Sequence, residues 1–149
     1  MSDEFAPIAA FVKNPQVPES ARAMAAMLLI DTLGVAAAAH DLEPARIARD
    51  FAVDFHSARE TRFSAALPFD GRRVSIPGAA FAAATQIDNL DAHDGYNPTK
   101  GHIGVVVIPT LAALADCAPD FSGPEALTLT TIGYEVAGRA AISLHDTAC

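Results

Sequence analysis

Apolar side chains recur every three to four residues over most of the chain, which is the period of an amphipathic helix. The clearest example is the set Ile47, Phe51 and Phe55, which fall four residues apart among charged positions. This helix begins at Glu43-Pro44, and Asn14-Pro15 ends the first helix of the chain. The predicted helices cover residues 5–13, 21–40, 43–56, 77–94, 105–117 and the segment from 124 onward.

The second predicted helix, residues 21–40, is apolar on nearly every side. This pattern predicts a central helix that is buried by its neighbours. Asp31 is the exception within it. Because a buried acid needs a partner, we expect Asp31 to bond to a neighbouring helix end or to a basic residue.

Two segments have the propensity for β-structure. Phe63-Ser64-Ala65-Ala66-Leu67 and Arg73-Val74-Ser75-Ile76 flank Asp70-Gly71, a pair typical of a tight turn, and this predicts a β-hairpin. Val105-Val106-Val107-Ile108 also has strand propensity, but Pro109 and the leucine spacing that follows favour a helix. The whole pattern predicts a mostly α, bundle-like fold with one short hairpin, in a single domain over residues 1–149.

The composition agrees with a helical core and limits the partners. Hydrophobic residues make up 51% of the chain, and abundant alanine without tryptophan favours closely packed helices. A formal charge of -8 argues against a nucleic-acid surface, which needs clustered Lys and Arg. There is no secretory signal and no uninterrupted apolar run of roughly 18 residues. We therefore expect a cytoplasmic protein with neither a membrane nor a nucleic-acid partner.

Ionisable side chains concentrate between the fourth and fifth predicted helices, in an arrangement more typical of a site than of a solvated surface. His102 directly precedes a helix N-terminus, so a bound carboxylate can be shared between that helix end and Lys100 or His102. Crowded acids such as Asp91 and Asp94 suit proton transfer. The full set is Asp88, Asp91, His93, Asp94, Lys100 and His102.

Two other interpretations of this loop stay open. The same side chains supply oxygen and nitrogen donors for a metal, although no HExxH, facial-triad or EF-hand spacing is present. Alternatively, the acids form a solvated helix end, and His102 only caps the next helix. Triad-hydrolase and nucleotide-binding motifs are absent from the sequence.

A series of short motifs runs across nearly the whole chain. They are Leu29-Ile30-Asp31-Thr32-Leu33-Gly34-Val35, Pro77-Gly78-Ala79-Ala80-Phe81-Ala82-Ala83-Ala84, Leu90-Asp91-Ala92-His93-Asp94-Gly95, Lys100-Gly101-His102, Val107-Ile108-Pro109 and Gly133-Tyr134-Glu135-Val136-Ala137-Gly138-Arg139. In order and spacing they resemble the MmgE/PrpD family, which includes 2-methylcitrate dehydratase, cis-aconitate decarboxylase and iminodisuccinate epimerase.

The resemblance implies a helical domain, a homodimer and chemistry on small di- or tricarboxylates without a cofactor or a metal. By position, Asp91 matches the first acid of the family's L-D-x-D-D segment, Asp94 matches its last acid, and His102 matches the histidine after the loop. These three residues are the candidate catalytic residues. Lys100 and His93 are the candidate substrate-binding residues.

The chain departs from the family pattern in two places. His93 replaces an acid, and Lys100-Gly101-His102-Ile103-Gly104 stands where many members read H-P-S-G. The resemblance therefore leaves dehydration, decarboxylation and epimerisation open.

The length of the chain leads to a further expectation. Family members are longer and carry later catalytic lysine and histidine positions and a second domain. We therefore expect an N-terminal part with little or no turnover by itself. The alternative function is a catalytically inactive helical module, whose bare apolar faces associate with copies of the chain or with a partner.

Overall fold

The computed structural model describes residues 5–147, which form six α-helices and one β-hairpin. The helices are α1 Ala6–Lys13, α2 Glu19–Ala38, α3 Glu43–Phe55, α4 Ile76–Asp88, α5 Gly104–Ala115 and α6 Gly123–Thr147. The hairpin strands are β1 Ser64–Ala66 and β2 Arg73–Ser75, and short 3-10 turns cover Thr61–Phe63 and Asn97–Thr99. The predicted fold class, mostly α with one short hairpin, is confirmed.

Two helices begin directly after a serine that caps them. Ser75 precedes α4, and its Oγ accepts a hydrogen bond from the Gly78 N–H at 3.3 Å, while Pro77 lies in the first turn. Ser122 has the same role at α6, where its Oγ accepts from the Glu125 N–H at 3.3 Å. Each serine satisfies an N–H group that has no partner within its helix. Local sequence therefore determines where α4 and α6 begin.

Helix α4 is the centre of the core, because it contacts α2, α3, α5 and both strands. In the antiparallel hairpin, Ala65 pairs with Val74, and both side chains are buried against α4. Small side chains allow these elements to approach closely. The larger buried cluster consists of Ala52, Ala65, Leu67, Val74, Ala79, Ala82 and Ala113. The smaller cluster, Val35, Ala36 and Ile87, joins α2 to α4.

Helix α2 is not the buried central helix that its apolar pattern predicted. Met24, Met27 and Ile30 are exposed, and so is Asp31, so the prediction of a buried, partnered acid is also wrong. The pattern failed because it cannot show which neighbours cover a helix. The buried residues of α2 are Ala25, Thr32, Val35 and Ala36.

By length and composition α2 is able to span a membrane, but core helices of soluble proteins pass the same test.

A buried polar network joins α2, α3, α4 and the hairpin turn. The guanidinium of Arg49 donates to Gln86 Oε1 at 2.7 Å and to the His40 carbonyl at 3.0 Å, and its Nε lies 3.4 Å from Asp70 Oδ2. Gln86 in turn donates to the Ala36 carbonyl at 2.6 Å. Buried charges are stable only when they are paired and hydrogen-bonded in this way. The network therefore holds the last turns of α4 against α2 and α3.

Candidate functional site

Helix α4 ends earlier than its apolar pattern predicted. Its last residue is Asp88 and its C-cap is Asn89, so the prediction of a helix to Asp94 is wrong. Asp91 has a φ of 51°, a left-handed conformation that does not continue an α-helix. Acids are also disfavoured at the negative end of a helix dipole. Asp91 and Asp94 therefore lie in a loop and not in the last turns of α4.

The backbone of the loop between α4 and α5 is held by its own hydrogen bonds. Tyr96 and Gly101 form an isolated antiparallel bridge, in which the Tyr96 N–H donates to the Gly101 carbonyl at 2.9 Å. The Thr99 hydroxyl donates to the Tyr96 carbonyl at 2.9 Å. Lys100 closes the 3-10 turn with a φ of 49°. This turn reverses the chain and returns His102 to the side of Asp91 and Asp94.

His102 is held through one ring nitrogen, Nδ1, while the other faces Asp91. Its Nδ1 lies 2.6 Å from the carbonyl oxygen of Asp94. Because a carbonyl only accepts hydrogen bonds, we assign the proton of the neutral ring to Nδ1. Its Nε2 lies 3.5 Å from Asp91 Oδ1; the Asp91 side chain is 82% exposed and the His102 side chain 30%. Nε2 is therefore the nitrogen that is free to exchange a proton with a ligand.

His93 lies behind His102 and away from solvent. The two rings have their centroids 4.0 Å apart with an interplanar angle of 42°. The side chain of His93 is 0% exposed, and its Nε2 lies 3.7 Å from Asp88 Oδ1. Neither ring nitrogen of His93 has a hydrogen-bond partner within residues 5–147. His93 is therefore in a position to touch His102 but not a ligand that approaches from solvent.

Asp94 fixes the start of α5. Its two carboxylate oxygens accept hydrogen bonds from the Gly104 N–H at 3.2 and 3.3 Å, an arrangement that the helix dipole favours. The hydroxyl groups of Thr32 and Tyr134 lie beside the same carboxylate at Gly104. Neither hydroxyl makes a well-formed hydrogen bond in the part of the chain that the structure describes.

Tyr134 is the strongly perturbed titratable group of this region. Its burial, together with the charge of the Asp94 carboxylate, raises the pKa of Tyr134 above its usual range. The phenol therefore keeps its proton at neutral pH and is available as a hydrogen-bond donor.

A cavity of about 410 Å³ opens beside the loop. Asp94 and Tyr134 line it, together with Arg139, whose guanidinium binds the Glu135 carboxylate at 2.7 Å. The other candidate residues of the loop are absent from its lining. Of the candidate residues, Asp94 is therefore the one that lines this cavity, and its carbonyl bonds to His102.

The structure brings together four of the five candidate residues. Asp91, His93 and Asp94 all contact or face His102, whereas Lys100 is exposed and lies outside this group. Across residues 5–147, no group of three or more His, Cys, Asp or Glu side chains is arranged to hold a metal ion.

Sequence reasoning missed Thr32 and Tyr134 as candidate site residues. Both belong to the conspicuous motifs Leu29-Ile30-Asp31-Thr32-Leu33-Gly34-Val35 and Gly133-Tyr134-Glu135-Val136-Ala137-Gly138-Arg139. A hydroxyl group within an otherwise apolar helix was the available signal. Its meaning depended on knowing that α2 and α6 meet at the start of α5, which local patterns do not show.

Comparison with known proteins agrees with these motifs. The chain matches the family model of the MmgE/PrpD N-terminal domain over residues 3–148, which includes α2, α6 and the loop that holds His102. No curated protein and no solved structure matches the chain significantly. Because the family model covers nearly the whole chain, the chain belongs to the MmgE/PrpD family and carries its N-terminal domain.

Proposed function

We propose that this chain is the N-terminal part of a cofactor-independent lyase or epimerase that acts on small di- or tricarboxylates. The reaction starts with removal of a proton next to a carboxylate and continues by dehydration, decarboxylation or reprotonation. Membership of the MmgE/PrpD family supports the reaction class. The arrangement around His102 supports the proton transfer.

The placement of His102 is the observation that carries this proposal. With Nδ1 bonded to the Asp94 carbonyl, Nε2 is the atom that accepts the proton from the substrate carbon. The positive charge that forms on the ring then lies beside the Asp91 carboxylate, 3.5 Å from Nε2, which stabilises it. Asp91 and His102 thus act as the catalytic pair, and Asp94 completes it by orienting the ring. A positioned acid or base of this kind contributes about 10²- to 10⁴-fold in rate.

Lys100 is the proposed binding group for a substrate carboxylate, because it is an exposed cation on the same loop. His93, the second proposed binding residue, is fully buried and acts on a ligand only through His102. Arg139 is the cation that lines the cavity, but its guanidinium is paired with the Glu135 carboxylate. The site of this chain offers few cations to bind a substrate with two or three carboxylates. We therefore expect little or no turnover from this chain alone.

The test is an assay of a version extended with the downstream coding sequence, using cis-aconitate, 2-methylcitrate and iminodisuccinate as substrates. We expect turnover of one of them and a loss of at least about 100-fold in kcat for His102→Ala. His145→Ala is the matched control, because His145 is exposed near the end of α6. A stable extended protein that is inert on all three substrates, or one that His102→Ala leaves unchanged, contradicts the proposal.

A second candidate function, a helical interaction module, is favoured by the exposed side of α2. Met24, Met27 and Ile30 are each more than half exposed and form an apolar stripe there, and exposed apolar patches can mark interaction sites. We propose that this stripe mediates association of two copies of the chain in the cytoplasm. This association is compatible with the enzyme and with the interaction module. Met27→Glu is expected to shift a dimer to monomer in light scattering, whereas Leu144→Glu, at an exposed apolar position of α6, is the control.

A further inference from the structure

The buried ring of His93 has no evident structural reason to be polar. Its side chain is 0% exposed, and both ring nitrogens lack a hydrogen-bond partner within the described part of the chain. Native proteins satisfy most buried polar groups, and the exceptions often belong to functional sites. The family pattern does not account for it either, because an acid is common at this position.

The contacts of His93 point to its neighbour. Its ring packs on the ring of His102 with the centroids 4.0 Å apart. Among residues 5–147, the carboxylates within 4 Å of the two rings' nitrogens are Asp88, at 3.7 Å from His93 Nε2, and Asp91, at 3.5 Å from His102 Nε2. Asp88 comes from the last turn of α4, and Asp91 comes from the loop.

We propose that His93 is a positioning residue for His102: its buried ring is the surface on which the imidazole of His102 packs, so that Nδ1 stays on the Asp94 carbonyl and Nε2 stays towards Asp91. This role rests on the proposed function only in that His102 is the group that transfers the proton. The packing and its effect on the ring are properties of this chain.

The need for such a surface follows from the geometry of a histidine side chain. The torsion that turns the ring is broad and roughly two-fold, so a ring turned by about 180° is easily reached. In that orientation the carbon Cδ2 takes the place of Nδ1, so the hydrogen bond to the Asp94 carbonyl is broken and the proton is no longer held on Nδ1. The His102 side chain is 30% exposed, so its solvent-facing side leaves room for this rotation. Contact with the His93 ring restricts the plane of the His102 ring, and within that plane the hydrogen bond to the Asp94 carbonyl selects the orientation.

The ring-nitrogen spectrum of His102 tests the proposal without an activity assay. Long-range proton–nitrogen correlation spectra of the labelled chain are recorded near pH 8, where histidine rings are ordinarily neutral. The signals of His102 are identified by their loss in His102→Ala. In the wild type we expect two well-separated nitrogen shifts, with the proton on Nδ1.

Substitutions at His93 should separate packing from other effects. His93→Ala removes the packing surface, and we expect the separation of the two His102 shifts to fall by at least half. His93→Phe restores a flat ring and should keep the wild-type separation, and so should the distant control His145→Ala. If circular dichroism shows that His93→Ala does not fold, His93→Leu replaces it, because leucine fills space without a flat face and should also reduce the separation.

Two results would overturn the role of His93. One is a His93→Ala or His93→Leu spectrum in which the His102 shifts are unchanged. The other is a His93→Phe spectrum that loses the separation as completely as His93→Ala does. In an active extended protein, His93→Ala should lower kcat more than it changes KM, and His93→Phe should recover kcat. An inactive extended protein contradicts the proposed function but leaves the ring-nitrogen result decisive for His93.

Discussion

Replacing Gly104 with alanine tests whether three oxygen-bearing side chains converge at the start of α5. An alanine Cβ there would lie 2.5 Å from Asp94 Oδ1 and 3.1 Å from Thr32 Oγ1, and it would also overlap the Tyr134 hydroxyl. These contacts are closer than a Cβ normally tolerates. The Gly104 N–H is also the donor to the Asp94 carboxylate, so relief of the overlap disturbs that contact.

The size of the effect follows from three opposing contributions. Alanine in place of glycine ordinarily stabilises a helix by about 0.5–1 kcal/mol. Overpacking costs about 1–3 kcal/mol, and loss of the capping contact of Asp94 costs about 0.5–2 kcal/mol. The balance is a loss of about 2 kcal/mol in the free energy of unfolding. For a chain of this length, the corresponding fall in Tm is about 4–8 °C.

Urea and thermal unfolding followed by circular dichroism measure this change. Gly34→Ala is the matched control, because Gly34 also lies in a helix but a Cβ there meets nothing within 4 Å. We expect that control to be about 0.5–1 kcal/mol more stable than the wild type. The reasoning is refuted if Gly104→Ala is as stable as Gly34→Ala, because Asp94, Thr32 and Tyr134 then do not crowd this position.

Three further predictions concern the rest of the fold. Gly133→Ala places a Cβ 2.5 Å from Val107 Cγ1 where α6 crosses α5, so it should cost about 1–3 kcal/mol, and adding Val107→Ala should restore part of the loss in urea unfolding. Hydrogen bonds from the Arg72 guanidinium lower the pKa of Asp70, so this contribution to stability is present above about pH 4 and is lost as pH falls through the lowered pKa. Tm measured against pH should therefore fall less steeply on the acid side in Asp70→Asn, and an unchanged acid slope contradicts the pairing. Burial raises the pKa of Tyr134, so stability should decline as pH rises above about 10, and Tyr134→Phe should flatten that decline.

The elements were predictable where strong local signals agree. Ser75 and Pro77 mark the start of α4, and Asp70-Gly71 marks the hairpin, in which Gly71 has a φ of 82°. The segment from Val105 was the harder case, since its β-branched residues favour a strand by propensity. It is a helix because the apolar spacing beyond Pro109 continues with a helical period into α5.

The end of α4 was predicted wrongly because the apolar pattern outlasts the helix. Asp88 is the last helical residue, and Asp91 turns the chain with a positive φ. Aspartate is one of the residue types that adopt this conformation at low cost. The prediction continued the helix to Asp94 and neglected the ease with which aspartate adopts a left-handed conformation.

The candidate site was predictable as a region of the chain but not as an arrangement. The concentration of ionisable residues identified Asp91, His93, Asp94 and His102, which the structure places around one imidazole. Lys100, from the same stretch, lies exposed and outside this cluster. The positions of the clustered residues depend on the turn at residues 96–101. A backbone hydrogen bond between Tyr96 and Gly101 reverses the chain there.

The amino-acid sequence by itself determined the helical fold class, the starts of α4 and α6, the hairpin and the segment that carries the candidate chemistry. These depend on interactions between residues close in sequence, such as capping hydrogen bonds, turn conformations and the helical period. Tertiary structure alone decided that His93 is buried beneath His102 and that Thr32 and Tyr134 meet Asp94 at the start of α5. Such contacts join elements far apart in sequence, and they depend on how α2, α5 and α6 pack together, which no local pattern specifies.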